Sequence, residues 1–123
     1  MAVTDYAHLS EIAYAEFADL VAATRFDGIK LRIVLLDNSY IDFWWSRRLP
    51  GRFAHHWERR HVDGTIYRHD NAPHSKWIHL SSFPKHFHSK TDSDVRPSDL
   101  STKPETALRQ FLEFARKTLA VET

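Results

Sequence analysis

His55 to Asp70 reads HHWERRHVDGTIYRHD, and the reading of this stretch decides the fold. Asp63-Gly64 is the strongest turn signal in the chain, and it separates two runs rich in aromatic and basic residues. The pattern predicts a third strand over Arg52 to Val62 returning through the turn into Thr65 to Asp70. With Asp63 and Gly64 as the two central turn residues, one face holds Val62 opposite Thr65, Arg60 opposite Tyr67, Glu58 opposite His69 and His56 opposite Asn71. The other holds Trp57 opposite Asp70, Arg59 opposite Arg68 and His61 opposite Ile66. Neither face of such a hairpin is plainly hydrophobic.

Working outward, the segment before the hairpin changes period twice. From Tyr6 to Thr24, Leu9, Ile12, Ala13, Phe17, Leu20 and Val21 recur at three- and four-residue steps, which predicts an amphipathic helix. From Ile29 to Leu36 the period is two, with Ile29, Leu31, Ile33 and Leu35 on one side, as for a strand. Asp37-Asn38 predicts a hairpin turn into a second strand, Tyr40 to Arg47, broken by Pro50-Gly51. After the hairpin, Pro73 and Pro84 bracket Lys76 to Ser82, a candidate edge strand, and SKTDSDVRPSDLSTK reads as a loop. Thr102 reads as the N-cap of a last helix, with Pro104 in its first turn and Glu105 closing a capping box. Leu108, Phe111, Leu112, Ala115 and Leu119 form its apolar stripe. The expectation is a single α+β domain over residues 1–123: an antiparallel meander sheet of four to five strands with N- and C-terminal helices packed on one face.

Composition limits the chemistry. The chain has 123 residues, seventeen Lys+Arg against sixteen Asp+Glu, and a formal charge of +1, so any electrostatic argument is local. Absence of cysteine excludes disulfides, thiolate catalysis and cysteine zinc sites. No apolar run approaches a bilayer span and no signal peptide is evident, so a soluble, cytoplasmic protein with no membrane partner is expected.

The unusual feature is HDNAPHSKWIHLSSFPKHFH, His69 to His88, with five histidines in twenty positions. His8, His55, His61 and His79 read as isolated, structural histidines. The functional set is His69, Asp70, His74, His86 and His88. In an extended segment His86 and His88 project to one side about 7 Å apart, a spacing suited to one metal ion with His74 or Asp70 as a third ligand. The alternative needs neither metal nor other cofactor. Attack by a ribose 2′-OH on the neighbouring phosphate needs a base, an acid and a cation, and histidine and arginine supply all three near neutral pH. Arg59, Arg60, Arg68, Lys85 and Lys90 are the nearby cations. Trp57, Tyr67, Trp77 and Phe87 offer surfaces for unstacked bases. Pro73 and Pro84 stiffen the chain just before the histidines, and Asp70 and Asn71 either cap a turn or orient an imidazole.

YRHDNAPH (Tyr67 to His74), followed by FPKHFH (Phe83 to His88), resembles the TumE family, toxin components of bacterial type II toxin–antitoxin systems. The family hallmark is a D-N-A-P-H-H segment followed by F-P-x-H-x-H. LLDNSYIDF and HHWERRHVDGTIYR stand where the family has its preceding strands. The chain departs at Ser75, where the family usually carries a second histidine, and in the spacing SKWIHLSS. The resemblance implies a growth-arresting toxin held inactive by a cognate antitoxin, commonly a DNA-binding helix-turn-helix protein. The residues then carry a metal-independent endoribonuclease reading. His74, His86 and His88 serve acid–base catalysis, Arg68 clamps phosphate, and Asp70 orients a histidine. Arg59, Tyr67, Asn71 and Lys85 bind the RNA substrate. A non-catalytic module binding nucleic acid or protein through the same face, and a histidine-ligated metal-dependent hydrolase, remain as alternatives; a homodimer is left open.

Overall fold

The computed structural model describes residues 3–122. Helix α1 (Tyr6–Glu16) precedes six strands and a short helical turn: β1 (Val21–Phe26), β2 (Leu31–Leu35), β3 (Tyr40–Trp45), β4 (Phe53–Arg59), α2 (Arg60–Asp63), β5 (Thr65–Asp70) and β6 (His86–Lys90). A seventh strand, β7 (Val95–Pro97), leads to helix α3 (Pro104–Glu122). The seven strands form one antiparallel sheet in chain order, so the meander is as expected and the strand count exceeds four to five.

Two of the extra strands come from segments with weak local signals. The first helix stops at Glu16, where the Phe17 N–H closes on the Ala13 carbonyl, and the chain turns before β1. Leu20 and Val21 continue the helical spacing of buried residues, yet they reach the same core from a turn and an edge strand. At the other edge, β7 is three residues long and ends on Pro97, which pairs with His86; proline is tolerated there because an edge strand has one side without a ladder partner. Lys76 to Ser82 is not a strand. It holds a 3-10 turn (Ser75–Trp77) followed by further turns.

The β4–β5 hairpin has a different register from the one Asp63-Gly64 predicts. Arg60–Asp63 winds into one helical turn, and Gly64 ends it at φ +82°, a left-handed conformation that glycine adopts without a Cβ penalty. The connection is therefore longer than two residues, and Arg59 pairs with Thr65. Asp63 holds it closed, accepting from the Thr65 N–H at 3.0 Å and from Arg59 Nε at 3.3 Å. The resulting shift is an odd number of residues, so it exchanges the faces: Trp57 meets Tyr67, His55 meets His69, His56 meets Arg68 and Ala54 meets Asp70.

One face of the sheet is consequently apolar after all. Leu31, Ile33, Leu35, Ile41, Phe43, Phe53, Trp57 and Tyr67 belong to a core that also contains Leu9 and Ile12 of α1 and Leu108, Phe111, Leu112 and Ala115 of α3. Phe111 stands edge-on to Phe43 at 5.8 Å, and Phe114 edge-on to Tyr67 at 5.0 Å. Both helices thus lie on the same face; a bidentate pair from Arg109 to Glu16 links them, and one from Arg116 to Asp19 ties α3 to the turn after α1. Helix α3 begins at Pro104, and its first bond runs from the Ala107 N–H to the Lys103 carbonyl. The Ser101 N–H is taken by Gln110, and Glu105 faces His8 instead of closing a capping box with Thr102.

Candidate functional site

Side chains alternate between faces along a strand, so burying Trp57, Tyr67 and His69 against the helices turns Arg68 and Asp70 to the outer face. The pairing of β5 with β6 sets His88 opposite Arg68 and His86 opposite Asp70. This places His86 and His88 on the outer face too, as their two-residue spacing requires. Across the sheet the outer row continues through Arg68, His56, Asp42 and Arg32, which are successive cross-strand partners.

Asp70, His86 and His88 converge. Each offers one ligand atom, and these atoms lie within 4.8 Å of one another. All three residues are buried, at 7, 2 and 9 % exposure. The Asp70 carboxylate is fixed from three sides: Oδ1 accepts from the Ala72 N–H at 3.0 Å and lies 3.1 Å from His86 Nε2, while Oδ2 accepts from Arg68 Nε at 3.0 Å. His86 Nδ1 lies 3.0 Å from the Pro84 carbonyl, and His88 Nδ1 lies 2.9 Å from the Asp92 carbonyl. A carbonyl oxygen only accepts, so both Nδ1 atoms carry hydrogen. In the neutral ring each Nε2 then holds a lone pair. His86 Nε2 stands 3.1 Å from Asp70 Oδ1, so a hydrogen or a metal ion between the two atoms satisfies both. The two rings are 5.1 Å apart, and Trp77 of the 3-10 turn lies against both, at 5.6 and 6.1 Å.

The other expected site residues lie elsewhere. His74 is exposed and stands outside this group; its Nδ1 accepts from the Lys76 N–H and so caps the 3-10 turn. His69 is on the helix-covered face, stacked on Phe87 at 4.4 Å, with Nδ1 at 2.7 Å from Ser98 Oγ. Burial pushes its pKa down to about 4. His55 is buried in the core between Trp45 and Phe53, and burial again holds it well below the usual imidazole range.

Arg59 and Tyr67, expected to bind substrate, are part of the core side of the sheet. Arg59 is 1 % exposed, stacked over Trp57, and paired with Asp37 at 2.8 Å and Asp63 at 3.2 Å. Asn71 stitches the β4–β5 end, accepting from the Phe53 N–H at 2.8 Å and donating to the Gly51 carbonyl at 2.7 Å. Lys85 donates to the Leu100 carbonyl at 2.7 Å. The physical reasons for these placements are the hairpin register, which puts odd-numbered residues of β4 and β5 inward, and backbone groups near Asn71 and Lys85 that need partners.

Sequence reasoning missed His56, Asp42 and Trp44. With Lys30, Ala54 and Arg68 they line a shallow cavity of about 350 Å³ on the outer face. Only the true register reveals that His56 adjoins Arg68. A larger cavity, about 710 Å³, lies instead between α3 and the sheet, floored by His69 and Phe87. Three of its charged residues, Arg109, Glu16 and Arg116, are bonded to one another, whereas the outer face gathers two imidazoles, a carboxylate and a guanidinium at one point and is the better chemical candidate.

A family model described as Toxin TumE matches residues 7–119, nearly the whole chain. The chain belongs to the TumE toxin family. No curated protein and no solved structure matches it. Membership in TumE implies a toxin role and a cognate antitoxin. Among the described residues no helix is long and apolar enough to cross a membrane.

Proposed function

We propose that this TumE toxin arrests growth by cutting RNA in the cytoplasm, with the Asp70, His86, His88 and Arg68 cluster as the reactive centre. The observation that carries the reading is the different surroundings of the two adjacent imidazoles: His86 Nε2 lies 3.1 Å from the Asp70 carboxylate, and both Nδ1 atoms lie on backbone carbonyls. His86, between the Pro84 carbonyl and Asp70, is set up as a proton donor. His88, with Nδ1 committed to the Asp92 carbonyl, keeps an Nε2 lone pair as a base.

The step follows from these states. His88 Nε2 takes the proton of a ribose 2′-OH, and the oxygen bonds to the adjacent phosphorus. The bond from phosphorus to the 5′ oxygen breaks, and that oxygen takes the proton from His86 Nε2. The products are a 2′,3′-cyclic phosphate and a free 5′-OH. Arg68, with its side chain 36 % exposed, holds a non-bridging oxygen as charge builds on the phosphate. Asp70 supports the charge on His86 before transfer. Substrate approaches from the Arg68 side, along the cavity lined by His56 and Trp44, and Trp77 gives way over the two rings.

The antitoxin is read as a helix-turn-helix DNA-binding protein that covers this face. The test uses purified protein, chelator, and an RNA oligonucleotide alongside its 2′-O-methyl counterpart. Cleavage of the first to cyclic-phosphate ends, with the second intact, is expected. Intact RNA would leave a non-catalytic binder, and cleavage of both would remove the 2′-OH from the mechanism.

A further inference from the structure

We infer that Asp70, His86 and His88 form a binding site for one divalent first-row metal ion of the zinc type. The inference stands on ligand geometry and not on the reaction proposed above. Three features carry it. First, the ligand atoms come from neighbouring positions on paired strands, a rigid platform: Asp70 is the direct cross-strand partner of His86, and His88 is two residues along the same face.

Second, each histidine donates its Nδ1–H to a backbone carbonyl, at 3.0 Å for Pro84 and 2.9 Å for Asp92. That outer contact fixes the tautomer with the Nε2 lone pair available, the arrangement that metal-ligating histidines use. The carboxylate is held the same way, by Ala72 and Arg68, with Oδ1 directed at His86 Nε2. Third, the spacing leaves room for an ion between these atoms, with His86 Nε2 and Asp70 Oδ1 3.1 Å apart. Bonds of about 2.1 Å to a tetrahedral ion put neighbouring ligand atoms about 3.4 Å apart. The Asp70–His86 spacing of 3.1 Å is close to that edge, and the His88 ligand atom lies within 4.8 Å of both, so it moves inward to complete the set.

Two imidazoles and one carboxylate give three protein ligands and leave a fourth position open, as in catalytic rather than structural zinc sites. The metal and the proton compete for the same Nε2 lone pairs.

The experiment uses the full-length protein, freed of metal by chelator and dialysed, titrated calorimetrically with Zn2+. One ion per chain is expected. His86→Ala and His88→Ala should each weaken binding by roughly 100-fold or more, by analogy with the 10- to 100-fold cost of losing an outer-shell partner, while His79→Ala binds as wild type. Nitrogen-15 NMR of wild-type imidazoles provides a readout independent of variant folding: Zn2+ should move the Nε2 signals of His86 and His88, with both Nδ1 atoms remaining protonated. No stoichiometric binding, or unmoved Nε2 signals, overturns the inference and leaves the acid–base reading intact. RNA cleavage that appears only with Zn2+ bound supports the site and removes the metal-free mechanism.

Discussion

Lowering the pH from 7 to 5 should cost this protein about 2 kcal/mol of stability through His69 alone. The imidazole lies on the helix-covered face, with Phe111 edge-on at 5.3 Å and Phe87 stacked at 4.4 Å. Burial is the largest cause of its depressed pKa; Lys85, His86 and His88 depress it further, and Asp99 opposes them. In the unfolded chain the ring titrates near the ordinary value of about 6.5. Between that value and about 4 the unfolded state binds the proton and the folded state does not. The stabilising contribution is therefore complete above the unfolded pKa and is lost as pH falls toward 4. Over the whole window the loss approaches about 3 kcal/mol, from 1.36 kcal/mol for each pH unit, and about 2 of that falls between pH 7 and 5.

The assay is urea unfolding followed by tryptophan fluorescence across pH 7.5 to 5, on wild type and on His69→Gln. Glutamine retains a polar partner for Ser98 and does not titrate. The difference between the two proteins removes His55 and the carboxylates from the comparison. The variant should show a pH dependence shallower by about 2 kcal/mol over this range. Parallel curves for both proteins would refute the burial argument.

Three further outcomes follow from the same contacts. Arg59→Ala should cost about 3 kcal/mol, since it leaves Asp37 and Asp63 without their buried partner, while their partial exposure keeps the loss at the lower end for a broken pair; denaturant titration measures it. Asn71→Ala should cost about 1–2 kcal/mol by the same measurement, because the Phe53 N–H and Gly51 carbonyl lose their shared partner. Arg68→Ala should slow cleavage of the RNA oligonucleotide by roughly 100-fold, the cost typical of losing one donor to a developing oxyanion, and should also lower stability, because the buried Asp70 carboxylate loses the Arg68 Nε donor.

Where the sequence was legible, one element sufficed. The stripe Leu108, Phe111, Leu112 and Ala115 is buried as its helical spacing requires, and His86 and His88 share a face because strand geometry repeats every two residues. What was illegible depended on partners. Arg60 to Asp63 carries no strong local sign of a helical turn, yet that turn sets the register that sends Arg59 and Tyr67 inward and Arg68 outward. His69 and Asp70 are adjacent in sequence and serve opposite faces, so a cluster of histidines along the chain became two environments in space. The neighbourhood of Arg68 and His56 exists only in the paired sheet. The signal that was available is the alternation around Trp57: with that ring inward, His56 and Glu58 must face out.

The central claim is that the outer-face imidazoles carry the toxin's action. Matched, inducible expression of wild type and His88→Ala, with circular dichroism confirming that the variant folds, tests it most directly. Growth should stop with wild type and proceed at the empty-vector rate with the variant. Equal arrest by both, or by neither, would contradict the account.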